Sequence, residues 1–215
     1  MAWARCPTRF VHFSCKEPDM TSLVRLRALS FGAACLVLAS LGSPAHAADP
    51  AITLVAPQSE VAFTIKQMGV PVNGRFKRFG VQTNFNPKSP QTSQVTLRFE
   101  LASATVSADA DPELGKPDWF ATAKFPQATF ASTGIKALGS GKFEVAGKLS
   151  IKGTSRDVVV PMQLVQAGGV STVTGGLPIK RLDFKVGEGD WADTSFVAND
   201  VQVKFKLVLQ GVPAQ

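Results

Sequence analysis

Residues 201–210 read VQVKFKLVLQ, and apolar side chains occupy every second position from Val201 to Leu209. Lysine and glutamine fill most of the positions between them. A period of two is typical of a strand that buries one face and exposes the other to water. The pattern therefore predicts a β-strand here whose apolar face covers a core or a cavity.

The same alternation recurs along the chain upstream of residue 201. Three further runs are clear, at residues 61–65, 95–101 and 143–151, and weaker runs cover residues 72–85, 128–135, 158–165 and 173–184. Short sequences rich in glycine, proline and serine separate most of the runs, which favours antiparallel pairing between neighbours. We therefore predict an all-β domain of eight strands or slightly more.

The longest connection, residues 109–124, contains the sequence DPEL at 111–114, which is typical of a capped helical turn. We predict one short helix there. With one apolar face per strand and no long helices, the sequence leaves two arrangements open, a closed barrel and a two-sheet sandwich. An eight-stranded barrel has an interior that side chains can fill or that can hold one small ligand.

Phenylalanine dominates the aromatic residues, with 15 in the chain against three tryptophans and no tyrosine. An interior without phenolic hydroxyls suits a hydrocarbon ligand. The alternative is that these side chains fill a packed core that binds nothing. The pattern alone leaves both open.

The N-terminal residues have the features of an export signal. Arg25 and Arg27 precede an apolar run at 28–42, and residues 45–47 have the small-x-small form that signal peptidase cleaves. We predict that residues 1–47 are a cleaved signal peptide and that the protein is periplasmic. Met20 offers an alternative translation start within this segment.

The predicted mature domain, residues 48–215, contains none of the three cysteines and two histidines of the chain. It can form no disulfide, and it lacks the usual base of serine and cysteine nucleophiles. It also lacks the usual ligands of zinc. We therefore predict that the protein is not an enzyme and holds no metal.

Two groups of carboxylates are candidate sites. Asp109, Asp111 and Glu113 resemble calcium ligands, but Leu114 stands where an EF-hand loop needs glycine, so we interpret them as part of a capped helix. Carboxylates at 188–193 are interpreted as a charged loop around a tryptophan rather than as an acid–base pair.

Arg75, Lys77 and Arg78 form the main basic cluster of the domain. Nucleic-acid binding would need a larger basic patch with stacking aromatic residues, so we expect no nucleic-acid partner. Because the cluster neighbours Phe76 and Phe79, it is also a candidate contact for the head group of a bound lipid at a barrel mouth.

Several motifs occur together between about residues 52 and 209. They are SEVAFTI at 59–65, VNGRF at 72–76 with Phe79, DWF at 118–120, AKFPQATF at 123–130 with Ser132, GKLSIKGTSR at 147–156, RLDF at 181–184 and GEGDWADT at 187–194. In combination they resemble the YceI-like proteins, a family of exported, lipocalin-like barrels that bind polyisoprenoid chains. The chain departs from the commonest pattern at residues 67–69, where many members have a histidine, and at Lys185, where many have a glycine.

The resemblance implies an extended antiparallel β-barrel, lipocalin-like, whose lumen holds a long isoprenoid lipid such as a quinone or a polyprenyl phosphate. It implies no catalytic residue and no cofactor other than the bound lipid. From the inward faces of the predicted strands, the expected lining is Phe63, Ile65, Phe76, Phe79, Phe85, Leu97, Phe99, Phe120, Phe130, Leu149, Ile151, Phe184, Phe205 and Leu207.

The alternative function is a ligand-free structural or interaction module, associated with an inner-membrane redox protein or a stress response. The sequence does not decide between a monomer and a homodimer.

Overall fold

A computed structural model describes residues 51–215 of the chain, which form eleven strands, one α-helix and five short 3-10 turns. The helix α1 is Asp111–Leu114. The strands are β1 (Thr53–Leu54), β2 (Glu60–Gln67), β3 (Val70–Phe76), β4 (Phe79–Thr83), β5 (Val95–Glu100), β6 (Ala104–Thr105), β7 (Gln127–Gly139), β8 (Lys142–Ile151), β9 (Thr154–Ala167), β10 (Val170–Lys180) and β11 (Val197–Gln210).

All strands belong to one antiparallel sheet, in the order β4-β5-β7-β8-β9-β10-β11-β2-β3-β6, with β1 paired to β11. The sheet curls into a half-barrel around an apolar interior. This confirms the predicted all-β class and rules out the two-sheet sandwich. The strand count slightly exceeds eight because β1 and β6 have only two residues each.

Strands β3 and β4 follow one another in the chain but are not neighbours in the sheet. The curled sheet therefore has a seam where β4 faces the start of β2 and the end of β3. At one end of this seam the backbone of Lys77 donates to the carbonyl of Ser103 (3.0 Å), and Glu100 donates to the carbonyl of Arg78 (3.1 Å). These bonds turn the chain at residues 77–78, so the predicted run 72–85 becomes two strands.

The alternation at 201–210 is confirmed within β11, with Val201, Leu207 and Leu209 buried. Val208 points to the opposite face and is nevertheless buried. The segment that follows β1 covers it, since Val55 in that segment donates its backbone N–H to the carbonyl of Val208 (2.8 Å).

The predicted run 173–184 is correct only as far as Lys180. Residues Arg181–Phe184 form a 3-10 turn, and Lys185 follows with a left-handed φ of 58°. The turn brings the side chain of Arg181 into the interior, where it is buried. The predicted short helix is confirmed as α1.

Candidate functional site

The inner face of the curled sheet encloses a cavity of about 500 Å³. All of the expected lining residues except Phe79 form its wall. Aliphatic residues that the sequence reasoning had not named complete it, among them Val61, Val81, Val95, Leu101, Val160, Met162, Val173, Leu177, Ile179, Val201, Val203 and Leu209. Hydrocarbon side chains therefore form most of the wall of this volume.

Phe76 lies at the centre of an aromatic cluster in this wall. Its ring centroid is 5.5 Å from that of Phe63, 5.6 Å from that of Phe99 and 6.4 Å from that of Phe120. All three pairs are tilted, which is a favourable geometry for aromatic contacts. The cluster joins β2, β3 and β5 with the segment after α1.

Glycines on neighbouring strands make room for several of the phenylalanine rings. A Cβ atom at Gly147 would lie 2.5 Å from Cζ of Phe130, and one at Gly175 would lie 2.6 Å from Cζ of Phe205. No real Cβ approaches so closely, so the rings rest against bare backbone. This arrangement keeps aromatic side chains in the wall while limiting how far they project into the cavity.

Phe79 and the basic cluster line a second pocket rather than the cavity. The ring of Phe79 packs on Phe99 at 6.5 Å, and Phe79 lines a second, polar pocket together with Arg75, Lys77 and Arg78. Alternation along β3 turns Phe76 inward and Arg75 outward. The structure therefore places the cluster outside the cavity lining and does not put it at the mouth.

The cavity opens beside residues 106–114, which we call the mouth segment. Ser107 and Asp109 both line the cavity and are exposed to solvent, and Glu113 lines it at half exposure. On the sheet side, Gln67 contributes an amide. The mouth is therefore polar and carries two carboxylates. The sequence analysis interpreted these residues only as part of a capped helix and did not predict that they line an opening.

Asp111 anchors the mouth segment to β6. Its carboxylate accepts hydrogen bonds from the hydroxyl of Thr105 (2.6 Å) and from the backbone N–H of Val106 (2.7 Å). The bond from Thr105, followed by that from Val106, lowers the pKa of Asp111 below its ordinary value, and the charge of Lys77 lowers the pKa further. The carboxylate thus acts as a fixed acceptor that holds the mouth in place.

Trp119 and Trp191 form a second aromatic contact in the cavity wall, with ring centroids 5.4 Å apart. Trp191 in turn lies 6.0 Å from Phe196, which is partly exposed. The indole N–H of Trp119 is buried and has no hydrogen-bond partner among residues 51–215. The DWF and GEGDW motifs contain these tryptophans, but their sequence gave no sign that they would meet.

Arg181 is the buried cation of the cavity wall, with 2% of its surface exposed. A buried cation usually pairs with a carboxylate, but Arg181 has no such partner among the described residues. Its guanidinium donates five hydrogen bonds to backbone carbonyls, those of Val186, Gly187, Trp191, Val197 and Ala198, at 2.6–3.1 Å. Burial lowers the pKa of Arg181 from its ordinary value, and the ring of carbonyls stabilises the charged form.

Lys152 supports the same loop from the β8–β9 hairpin. Its ammonium is almost fully buried and donates to the carbonyl of Lys185 (2.6 Å) and to the carboxylate of Glu188 (3.0 Å). Together with Arg181 it fixes residues 185–198 at the cavity end. The two cations therefore shape the site without presenting a free charge to it.

Within 51–215, no group of three or more histidine, cysteine, aspartate or glutamate side chains is placed to hold a metal ion. The same part of the chain has no helix that is both long and apolar enough to cross a bilayer. What the arrangement provides is a large apolar surface with a polar opening, which is the character of a binding site for an apolar ligand.

Solved structures of similar fold place this architecture among known proteins. The crystal structure of BcnA from Burkholderia cenocepacia is 40% identical, with a TM-score of 0.70, over 72% of this chain and 98% of that one. A Campylobacter jejuni YceI protein has a TM-score of 0.59 at 23% identity over 64% of this chain and 83% of that one. A polyisoprenoid binding domain from Saccharophagus degradans shares the fold with a TM-score of 0.60 at 18% identity, over 76% and 99%.

Sequence comparison leads to the same group. A UPF0312 protein of Azotobacter vinelandii is 30% identical over 169 residues, which cover 75% of this chain and 86% of that protein. The model of the YceI-like domain matches residues 53–209, from the first residue of β1 to the last residue but one of β11. The resemblance drawn from the motifs is thereby confirmed, and the chain belongs to the YceI-like domain family.

Proposed function

We propose that the protein is a periplasmic carrier for a long isoprenoid lipid, which it holds in the apolar cavity without chemically changing it. The observation that carries this proposal is the cavity of about 500 Å³ whose wall is built almost entirely from hydrocarbon side chains. This volume lies within the roughly 300–1,000 Å³ of small-molecule sites. A solved relative of the same fold is described as a polyisoprenoid binding domain, which supports this class of ligand.

Binding would depend on burial of the lipid tail. Each methylene group that leaves water contributes about 0.8 kcal/mol, so several isoprene units suffice for tight binding without a specific polar contact. The wall is preformed by the tilted aromatic cluster around Phe76, so little side-chain ordering opposes binding.

The mouth favours an uncharged head group. Asp109 and Glu113 line the cavity where it opens. Glu113 is paired with Lys116, so the carboxylate of Asp109 is the one that would repel a phosphate placed there. The hydroxyl of Ser107 and the amide of Gln67 can donate hydrogen bonds to a carbonyl oxygen. Among the two expected head groups, these contacts support a quinone over a polyprenyl phosphate.

Organic extraction and mass spectrometry of the protein, purified from the periplasm of a bacterial host, test this function. A stoichiometric isoprenoid species in the extract is the expected result and would name the ligand. A clean extract from folded protein, with no uptake of added quinone or polyprenyl phosphate, would contradict the carrier function and favour the ligand-free interaction module.

Export is part of the proposal, because the predicted signal peptide at residues 1–47 lies outside the described residues. N-terminal sequencing of the protein recovered from the periplasm should begin near Ala48. A protein that retains residues 1–47 and stays in the cytoplasm would contradict the periplasmic assignment while leaving the cavity argument intact.

A further inference from the structure

A second pocket, of about 820 Å³, lies on the outside of the curled sheet along the seam between β4 and the start of β2. We call it the seam cleft. Five cationic side chains line it, against two carboxylates, and the cations are Arg75, Lys77, Arg78, Arg98 and Lys206. These cations come from three separate parts of the sheet. One part is β3 with the turn that follows it, and the others are β5 and β11. The fold therefore brings positive charges that are distant in sequence together at this cleft.

The two carboxylates neutralise only part of that charge. Glu100 forms an ion pair with Arg78. Glu60 lies opposite Lys206 in the β2–β11 register but makes no ion pair with it. The positive charge of Lys77 also interacts with the carboxylate of Asp111 and helps to lower the pKa of that residue, so Lys77 is partly compensated as well. Positive charge therefore remains at the cleft after its internal partners are counted.

Arg75, Arg98 and Lys206 hold this remaining charge. All three are exposed, and none takes part in an ion pair among the described residues. Two of them are arginines, whose planar guanidinium groups match the oxygens of a phosphate with paired hydrogen bonds.

Gly80 leaves space beside Arg98. The two residues are direct partners in the β4–β5 register, and Gly80 also lines the cleft. A Cβ atom at position 80 would meet no atom within 4 Å, and the backbone there is not left-handed. The absence of a side chain thus opens the cleft next to the guanidinium.

The seam cleft is separate from the cavity. Phe76 contributes to the linings of both pockets and stands between them. Phe79 lines the cleft but not the cavity. An anion in the cleft would therefore contact the outer surface of the protein, away from the carboxylates of the mouth segment.

We propose that the seam cleft is a binding site for a phosphate-class anion, held by Arg75, Arg98 and Lys206. The charge excess, the open space at Gly80 and the two guanidinium groups each favour a ligand of this chemistry. The phosphate can belong to the head group of a membrane phospholipid or to a free phosphate compound. The site does not depend on what the cavity binds.

A charge placed at Gly80 provides the sharpest test. Gly80→Glu puts a carboxylate into the open space without removing any cation, and Gly80→Gln is its uncharged match. Binding of inorganic pyrophosphate is measured by calorimetry, and binding of phosphatidylcholine vesicles with and without phosphatidylglycerol is measured by co-sedimentation. A third variant, Arg98→Gln, removes one of the proposed contacts.

The proposal expects the wild-type protein to bind pyrophosphate or the phosphatidylglycerol vesicles, and not pure phosphatidylcholine. Gly80→Glu and Arg98→Gln should weaken that binding about tenfold, the size expected for loss of a charged hydrogen bond. Gly80→Gln, which fills the same space without a charge, should weaken it clearly less than Gly80→Glu. Vesicle binding assigns the phosphate to a lipid head group, and binding of pyrophosphate alone assigns it to a free compound.

Failure of wild type to bind either probe overturns the site, as does equal behaviour of Gly80→Glu and Gly80→Gln. The cavity-filling variant Leu97→Trp separates the two proposals, because it should bind the same probe as strongly as wild type even when it holds no lipid. Loss of lipid in that variant with unchanged anion binding would show that the two sites are independent.

Discussion

Phe63 lies directly over Gly74, its partner in the β2–β3 register, and a Cβ atom at position 74 would stand 2.3 Å from Cζ of the phenylalanine ring. The ring therefore occupies the space that any other residue at position 74 would need. Since Phe63 also packs on Phe76 and lines the cavity, the identity of residue 74 helps to set the shape of the cavity.

Gly74→Ala should push the Phe63 ring into the cavity. We expect a loss of about 1–3 kcal/mol in the free energy of unfolding, as for overpacked cores, together with a smaller lipid load. Urea unfolding and lipid extraction measure the two effects. Gly80→Ala is the matched control, because a Cβ atom there meets nothing within 4 Å and should leave both quantities nearly unchanged.

Leu97→Trp should abolish lipid retention by filling the cavity from β5, since Leu97 lines it at half exposure. Leu149→Trp should do the same from β8. Circular dichroism confirms that each variant folds, and mass spectrometry of extracts reports the lipid. Val159→Trp adds the same ring to the exposed face of β9 and should retain the lipid. Folded cavity variants that still carry lipid would show that the ligand lies elsewhere.

Arg181→Met should destabilise the protein by about 3–5 kcal/mol, because several buried carbonyls lose their donor at once. Arg181→Lys should recover only part of this loss, since an ammonium group cannot span the same set of acceptors. Denaturant unfolding measures both. Arg98→Met removes an exposed arginine and should change the free energy of unfolding by no more than about 0.5 kcal/mol. A similar small change in Arg181→Met would mean that water replaces the guanidinium.

Thr105→Val should raise the pKa of Asp111 towards its ordinary value, because the hydroxyl bond is the largest cause of the lowering. In the wild type, the folded-state pKa lies below the unfolded one. The stabilisation from ionised Asp111 is therefore complete above the ordinary value of 3.8 and is lost as the pH falls through the lowered folded-state pKa.

Carboxyl-detected NMR titration measures the pKa of Asp111 directly, and acid unfolding should begin at a higher pH in Thr105→Val than in wild type. Thr64→Val is the control, because that hydroxyl bonds to the side chain of Asn73 and not to a carboxylate. An unchanged Asp111 titration in Thr105→Val would assign the lowered pKa to the backbone amides instead.

Alternation of apolar and polar residues was sufficient to predict most of the fold. Strand β11 shows why, since a strand with one face exposed to solvent and one face buried needs that pattern. The inward residues of each run form the cavity wall in the structure. The α1 turn was equally predictable from its proline and acidic residues.

Other features depend on contacts that are distant in sequence. Val208 is buried because the segment that contains Val55 crosses over it. Phe79 shares a face of β4 with Val81 and Thr83, but at the end of the strand its ring packs on Phe99 beside the seam cleft. The partners of Arg181 are backbone carbonyls, which no pattern of side chains can reveal. The seam cleft brings together cations from three distant parts of the chain, so the sequence showed only the three that are adjacent.

The carbonyl ring around Arg181 also bears on how the loop at residues 186–198 can evolve. Every residue type carries a main-chain carbonyl, so the guanidinium constrains the path of the loop and leaves most of its side chains free to vary. Gly187 is an exception, because a Cβ atom there would lie 2.2 Å from Nη1 of Arg181. Homologues can therefore exchange the exposed residues of this loop, such as those at 192–195, and alter the surface at the cavity end, provided that the arginine, this glycine and the packed side chains of Val186, Trp191 and Val197 remain.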